Sequence, residues 1–563
     1  MAEACAAPSE GGHMNGRFLL RGALLIGVCL PLLCEPVWPQ DEHAGHSARE
    51  HAGSVHIPIS CSQDAQRQFD RAVAILHSFF YPETVKAFSA IAQAEPSCAM
   101  AYWGVAISQR PNPLVPPFSH EALQAGWNAI EKARSLRAPT EYERDWIEAL
   151  SAFFERFDTL DQRTRTAKYE AAMAKLHERY PQDTEVAVFY ALALNEAVDL
   201  ADKSYSRQLK AAAILEQLAP VLPDHPGIAH LLIHSYDYAP IAARGLPAAR
   251  RYAALEPSAP HALHMPSHIF STLGMWQDAI QADLASDAAA KGYAAAVNPA
   301  SSVNPAVNAA RYHSLDFLTN AYLQLAQDQR ARAIVDERNS VAELSPDYRY
   351  SGHTAFAAIP VRYAIERGAW AEAAALQVPR TPYPQAEAIT WFGRALGAAR
   401  SGDLADARRD IEQIARLRAE LAIAHDAYWV EQLDVQADAA GAWIALGERR
   451  IEEAIASMRA AADREDRTEK NVAMENRLSP MRELLGELLL EASRPAEAQR
   501  EFELSLKSVP NRFRSLAGAG RAAALAGHKT QARLHYRQLL VLARDADSER
   551  APLKAAREFL AKH

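Results

Sequence analysis

A repeat period of about 34 residues near the C-terminus limits the folds open to this chain more than any other feature. Residues of matching size recur there at one spacing: Leu485, Gly486, Ala498 and Phe502 are followed one period later by Ala519, Gly520, Ala532 and Tyr536. Small residues let two helices approach closely, and large residues fill the space opposite them. The period therefore predicts consecutive pairs of packed helices.

Similar marks recur upstream, each a glycine between two amphipathic segments. They are Gly274, Gly368, Gly402 and Gly447. Alanine-rich segments favour helix, and the alternation of Val, Ile and Thr that strands require is scarce. One helix pair cannot bury its apolar face alone, so neighbouring pairs must stack. The sequence predicts an all-α fold, a tetratricopeptide-type helix-turn-helix superhelix (α-solenoid) with a concave groove.

Three stretches rich in proline or turn residues interrupt the repeats, at 109–119, 297–307 and 377–385. Proline blocks the helix before it and lacks an N–H donor. We expect the third stretch to separate a His-rich N-terminal repeat region, 61–376, from a C-terminal tetratricopeptide array, 386–563.

The N-terminal part of the chain has the pattern of an exported protein. Arg17 and Arg21 precede the apolar run 22–33, which is shorter than the ~20 residues that span a bilayer as a helix. We expect 1–39 to be a signal peptide or an N-terminal anchor, and 40–60 to be a flexible His-containing leader. The protein is then periplasmic or secreted, and would touch a membrane only through an uncleaved N-terminal segment.

Two further properties of the sequence bear on compartment and partners. Five cysteines are present, and removal of the leader would leave Cys61 and Cys98. In an oxidising compartment an even pair favours a disulfide over two separate buried thiols. The net charge of -9 gives no basic surface, so we expect no nucleic-acid partner.

Four histidines in the middle of the chain follow the repeat period. His230 and His234 are four residues apart and share one helix face, and His264 and His268 repeat that arrangement one period later. Counted from the turn at Gly274, both pairs occupy equivalent positions on the first helix of successive repeats, on the face that lines the groove. The additional groove residues expected on this face are Asp237, His261, His313 and Asp316.

Imidazole and carboxylate groups in this pattern indicate a metal site. His230, His234, His264 and His268 are the predicted ligands of a divalent transition metal, Zn or Cu, with a carboxylate as an added ligand. Two alternatives stay open: histidines protonated below about pH 6 that bind an anion or a peptide, and histidines that serve the fold alone, without a cofactor.

Five segments together resemble a bacterial family of exported tetratricopeptide-repeat proteins with HxxxH-type motifs in the middle repeats. They are Cys61, LHSFFY at 76–81, CAMAYWG at 98–104, HLLIHSYD at 230–237 and HALHMPSHIF at 261–270. The resemblance covers nearly the whole mature chain. It implies an α-superhelical fold used for protein assembly, with His230, His234, His264 and His268 in the groove, and it implies no catalytic activity.

Two functions follow from these features. The first is an exported scaffold that binds a protein or peptide in its His-lined groove. The second is a metal-binding protein or metal-dependent hydrolase that uses the four histidines, with Asp237, Asp316 or Glu196 as ligand or base. The sequence leaves open whether the protein is an enzyme.

Overall fold

Amphipathic, alanine-rich segments separated by turn residues fold here as a succession of helices. In a computed structural model of the protein, the described residues are 55–297, 305–344, 350–472, 474 and 477–563, and they belong to one compact unit. Within those ranges the regular secondary structure consists of helices. None of the helices described there is both long and apolar enough to cross a membrane.

The N-terminal helices begin at side chains that cap them. Ser62, Thr140, Asp161 and Asp183 each accept a hydrogen bond from a backbone N–H of the first turn, which stabilises a helix start. These helices are α1 (Gln63–His77), α2 (Tyr81–Ala94), α3 (Ala99–Ser108), α4 (His120–Ser135), α5 (Glu141–Phe154), α6 (Gln162–Arg179), α7 (Thr184–Glu196) and α8 (Ser206–Leu218).

Proline begins several helices of the middle region, where its missing N–H costs no hydrogen bond. A short 3-10 helix, Ala242–Gly245, precedes the second of these helices. They are α9 (Pro226–Tyr236), α10 (Leu246–Leu255), α11 (Pro260–His264), α12 (Pro266–Thr272), α13 (Trp276–Val297), α14 (Pro305–Gln324), α15 (Asp328–Asn339), α16 (Tyr350–Glu366) and α17 (Trp370–Ala374).

The C-terminal part of the chain is helical as well. They are α18 (Pro384–Ser401), α19 (Leu404–Ile423), α20 (Ala427–Gly447), α21 (Ile451–Glu465), α22 (Met481–Glu491), α23 (Pro495–Ser508), α24 (Phe513–Leu525), α25 (Lys529–Leu542) and α26 (Ala551–Lys562).

Each helix packs against the next along the chain, as stacked helix pairs require. The small residues of the repeat meet the large ones as expected, since Gly486 and Gly518 both lie against the ring of Phe502, and Gly520 lies against Tyr536. The predicted fold class is confirmed: the protein is an all-α solenoid of tetratricopeptide-like helix pairs.

The close approach of Gly518 to Phe502 gives a prediction for stability. A Cβ at Gly518 would lie 2.3 Å from Cζ of the buried Phe502 ring. Overpacking of this kind costs about 1–3 kcal/mol, so Gly518→Ala should lower the free energy of unfolding in urea. The matched control is Gly441→Ala in α20, where no atom lies within 4 Å of the new Cβ. The control should be neutral or gain up to ~1 kcal/mol from helix propensity, and equal effects of the two changes would contradict the packing.

The N-terminal segment confirms one prediction and corrects another. Cys61 and Cys98 form the predicted disulfide, with an S–S distance of 2.09 Å. Residues 55–60, expected to belong to a flexible leader, are instead packed onto the fold. Ile57 is fully buried, and the Ser60 N–H and hydroxyl both donate to Glu143 at 2.7 Å. The predicted signal segment 1–39 lies outside the described residues.

The predicted breaks fall largely between helices. Residues 109–119 and 377–383 are not helical. The break predicted at 297–307 is too long at both ends, because α13 extends through Val297 and α14 begins at Pro305. Residues 298–304 lie outside the described ranges. The first helix of a pair begins at Pro226, one period later at Pro260, and next at Pro305. The interval between the first two helix starts therefore matches the repeat period, and the interval between the second and the third is longer.

Contacts between distant parts of the chain position the site. Helix α1 packs against α9, and α14 packs against α24. Trp276 Nε1 donates to the Asn511 carbonyl at 2.8 Å, and Phe513 N donates to the Gln324 side chain at 2.9 Å. The histidine-bearing helices are thus enclosed by the first and the last repeats.

Candidate metal centre

Three of the predicted histidines meet in one group, which we call cluster A. His230 and His234 extend from α9, one turn apart, and His261 comes from α11. The Nε2 atom of His230 lies 3.1 Å from Nε2 of His234 and 3.2 Å from Nε2 of His261. His230 and His234 are buried, whereas His261 is partly exposed. Three imidazole nitrogens therefore converge at one point.

The other three histidines form a second group, cluster B. His264 lies at the end of α11, His268 on α12 and His313 on α14. The Nε2 atoms of His264 and His268 are 3.1 Å apart. In each cluster, one ring nitrogen from each histidine lies within 4.8 Å of the other two. All three rings of cluster B are buried.

Hydrogen bonds on the far side of the rings orient them. His230 Nδ1 donates to the His77 carbonyl oxygen at 2.6 Å, and His268 Nδ1 lies 2.8 Å from Asp237 Oδ2. Since a carbonyl only accepts, the proton of His230 is on Nδ1, and its Nε2 carries a lone pair. That lone pair can accept one hydrogen, yet two Nε2 atoms face it. Cluster A therefore has more converging nitrogens than hydrogen bonds can satisfy.

The outer ring nitrogens of His234 and His264 have different surroundings. His234 Nδ1 is buried without a hydrogen-bond partner among the described residues. His264 Nδ1 lies 2.7 Å from Asp283 Oδ1, and burial raises the pKa of the Asp283 carboxyl well above its ordinary value. A hydrogen bond of this kind from ring to carboxylate is the usual support of a metal-binding imidazole.

Burial keeps these imidazoles neutral. It lowers the pKa of His230 and of His264 to about 3, and it lowers the pKa of His234 and His268 well below the ordinary value. Neutral imidazole is the form that binds a metal ion. Lowered pKa values of this kind disfavour the cationic patch expected below about pH 6, and with it an anion site here.

One phenylalanine packs against each cluster. The Phe79 ring lies 4.4 Å from His230 and 5.5 Å from His261, measured between ring centroids. In the same way the Phe317 ring lies 4.7 Å from both His264 and His268. These apolar rings restrict water around the converging nitrogens, and a low local dielectric strengthens any charge interaction there.

The structure corrects the prediction of an open His-lined groove. Helix α1 packs against α9, and Phe79, just after α1, covers cluster A. On the other side Lys470, which follows α21, donates to Asp237 at 2.7 Å. These distant segments cover the histidines, so the clusters are largely buried, whereas Asp237, Thr272 and Lys470 line a cavity of about 500 Å³.

The predicted carboxylates have other partners. Asp237 accepts from Lys470 and from the Thr272 hydroxyl as well as contacting His268, so it orients a ring. Arg362 donates to Asp316 at 2.7 Å and 3.3 Å. Arg110 pairs with one oxygen of Glu196, and the other oxygen is buried without a hydrogen-bond partner among the described residues. Asp237 and Asp316 are thus each held by a cationic side chain.

A third buried group, of His77, Glu185 and His225, was not singled out from the sequence. His77 Nε2 and His225 Nε2 lie 2.8 Å and 2.7 Å from the two oxygens of Glu185. Burial alone would raise the pKa of Glu185, but the two imidazoles bring it down to about 2. The triad fixes His77, whose carbonyl in turn holds His230.

Asp283 was also missed, although the sequence contains a signal for it. It follows Ala279 and Ile280 on the same face of α13, and both of these are buried. An acid on the apolar face of an amphipathic helix needs a buried partner, and here that partner is His264.

Comparisons with known proteins add little to this geometry. No protein-family model matches the sequence, and no curated protein matches it. A solved structure of the human IFIT1 dimer with m7Gppp-AAAA is similar at a TM-score of 0.36 and 11% identity, covering 86% of this chain and 91% of that chain. The human IFIT1 dimer with PPP-AAAA has a TM-score of 0.36 and 12% identity, with 84% and 89% covered. The function must therefore be argued from the site.

Proposed function

We propose that this protein binds transition-metal ions, copper or zinc, through clusters A and B inside its helical-repeat scaffold. The observation that carries the proposal is the convergence of three Nε2 atoms, with His230 Nε2 only 3.1 Å and 3.2 Å from its two neighbours. Two nitrogens bound to one ion at ~2.0–2.1 Å and a tetrahedral angle lie about 3.3 Å apart. The spacing in cluster A is close to that of a coordination sphere.

The chemistry of the surroundings favours a metal over the alternatives. The ligand atoms are neutral imidazole nitrogens, which suit copper and zinc. Second partners such as Asp237 and the His77 carbonyl hold the rings from behind, as outer hydrogen bonds do in metal sites. A purely structural cluster would satisfy each ring nitrogen, and this one does not.

The metal-dependent hydrolase expected as one form of this function has less support, since Asp237 and Asp316 are each paired with a cationic side chain. Binding of a protein or peptide stays a prediction. Its partner would have to use residues other than the buried histidines. Export to the periplasm and cleavage of the leader also stay predictions.

Metal analysis of the full chain tests the proposal. The protein is purified without a His tag and its bound metals are counted by mass spectrometry. We expect about two ions of copper or zinc per chain, because there are two clusters of three ligands. His230→Ala/His234→Ala and His264→Ala/His268→Ala should each lose one ion.

The matched control replaces two exposed histidines outside the clusters, His120→Ala/His563→Ala, and should keep both ions. Circular dichroism establishes that each variant is helical. Metal content that is unchanged in both cluster variants, or wild-type protein that takes up no ion from either metal, would contradict the proposal.

A further inference from the structure

The two histidine clusters are neighbours in space. The rings of His234 in cluster A and His268 in cluster B have centroids 6.0 Å apart. Within cluster A itself, His234 and His261 are 6.3 Å apart. The gap between the clusters is therefore no larger than the spacing inside one of them.

Helix α11 connects the two clusters directly. His261 belongs to cluster A and His264 to cluster B, although they lie one turn apart on this helix, with ring centroids at 6.4 Å. Metal ions held by the two clusters would thus be adjacent. In proteins, paired ions of this kind are about 3.5–4 Å apart and act on one ligand between them.

We propose that clusters A and B form a single dinuclear copper centre, with three imidazoles on each ion and a small oxygen ligand, such as hydroxide, bridging the two. This inference rests on the proposed function and goes further, since two separate mononuclear sites would satisfy that function equally.

The ligand set favours a transition-metal ion that binds imidazole, such as copper, over the hard divalent cations. All six groups that converge are imidazoles, whereas the carboxylates of Asp237 and Asp283 lie behind His268 and His264. Dinuclear magnesium, manganese or calcium sites would need oxygen ligands at the ions themselves. These two carboxyl groups instead hold the His268 and His264 rings from behind, as outer hydrogen-bond partners do in metal sites.

Three protein ligands leave an open position on each ion, as in catalytic zinc sites. With the ions adjacent, one hydroxide can fill both positions. The balance is simple: two Cu(II) ions and one water give the bridged pair, and the proton lost by the water goes to solvent. No electron is transferred in this step.

Electron paramagnetic resonance of copper-loaded protein tests the inference. Cu(II) is titrated into the chelator-treated full chain, and the spin signal is compared with the copper bound. Each Cu(II) ion has one unpaired electron, and a hydroxide bridge couples the two spins so that their signals largely cancel. We therefore expect two copper ions per chain with an integrated signal several-fold below two spins, and the full signal when acid releases the copper.

A single-cluster variant is the control. His230→Ala/His234→Ala should bind one copper with a full spin, because no second ion remains to couple with it. If the wild type binds two ions that each give a full spin, the dinuclear centre is refuted while metal binding stands. If the chain binds no copper and no zinc, both proposals fail.

Discussion

Replacing Arg512 with methionine should lower the free energy of unfolding by about 3–5 kcal/mol. Arg512 is fully buried at the start of α24, where its guanidinium donates to Glu483 at 2.8 Å and 3.0 Å and also pairs with Glu366. Removing Arg512 takes away the buried cation that pairs with both carboxylates and leaves Glu483 with Arg514 at 3.6 Å. Changes of this kind cost ~3–5 kcal/mol. Urea denaturation followed by circular dichroism measures the effect.

The pH dependence identifies the cause. Without Arg512, the charged form of the two buried carboxylates is destabilised relative to the neutral form. Protonation at lower pH therefore relieves the penalty. The penalty should therefore be largest at pH 7 and shrink as the pH approaches 5.

Arg500→Met provides the matched control, because Arg500 is exposed on α23. Its stability should change by no more than ~0.5 kcal/mol. A loss in Arg512→Met that is the same at pH 7 and pH 5 would show that lost packing, and not the lost ion pairs, destabilises the variant.

The helix pairs could be predicted because their signals are local in the sequence. Gly518 and Phe502 lie on consecutive helices, and their contact is repeated by Gly520 and Tyr536. Capping residues such as Ser62 and Asp183 also act within three residues of themselves. Such short-range patterns specify a tetratricopeptide-like pair without knowledge of the rest of the chain.

The burial of the histidines could not be predicted in this way. His230 is held by the His77 carbonyl, 153 positions earlier, and Asp237 by Lys470, 233 positions later. Neither contact follows from the periodicity of a repeat, because each depends on how far the stacked pairs curve. The repeat period predicts which histidines share a helix face. The curvature of the stacked helix pairs decides whether that face is exposed or covered.

The partition into two clusters has a similar origin. His264 and His268 were expected to complete the set begun by His230 and His234. In the structure His261 joins the first pair, and His313 joins the second. His313 lies on α14, which begins more than one repeat period after α11. The sequence predicted one site with four histidines, whereas the structure has two clusters with three histidines each.

Loading the protein with copper or zinc should stabilise it more than any single substitution described above. The ligands extend from His230 to His313 and come together only in the folded chain, so the metal binds the folded state selectively. At a free metal concentration 1,000 times the dissociation constant, each site contributes about 4.1 kcal/mol. Two sites would contribute about 8 kcal/mol, seen as a higher urea midpoint than that of the chelator-treated protein.

The variants separate binding at the clusters from binding elsewhere. His264→Ala/His268→Ala should keep about half of the stabilisation, because cluster A is intact, while His120→Ala/His563→Ala should keep all of it. Magnesium, which prefers oxygen ligands, should leave the midpoint of every variant unchanged. Equal shifts with zinc in the wild type and in both cluster variants would place the metal outside the clusters. The converging nitrogens would then be a strained feature of the fold, held together by the His77 and Asp237 hydrogen bonds alone.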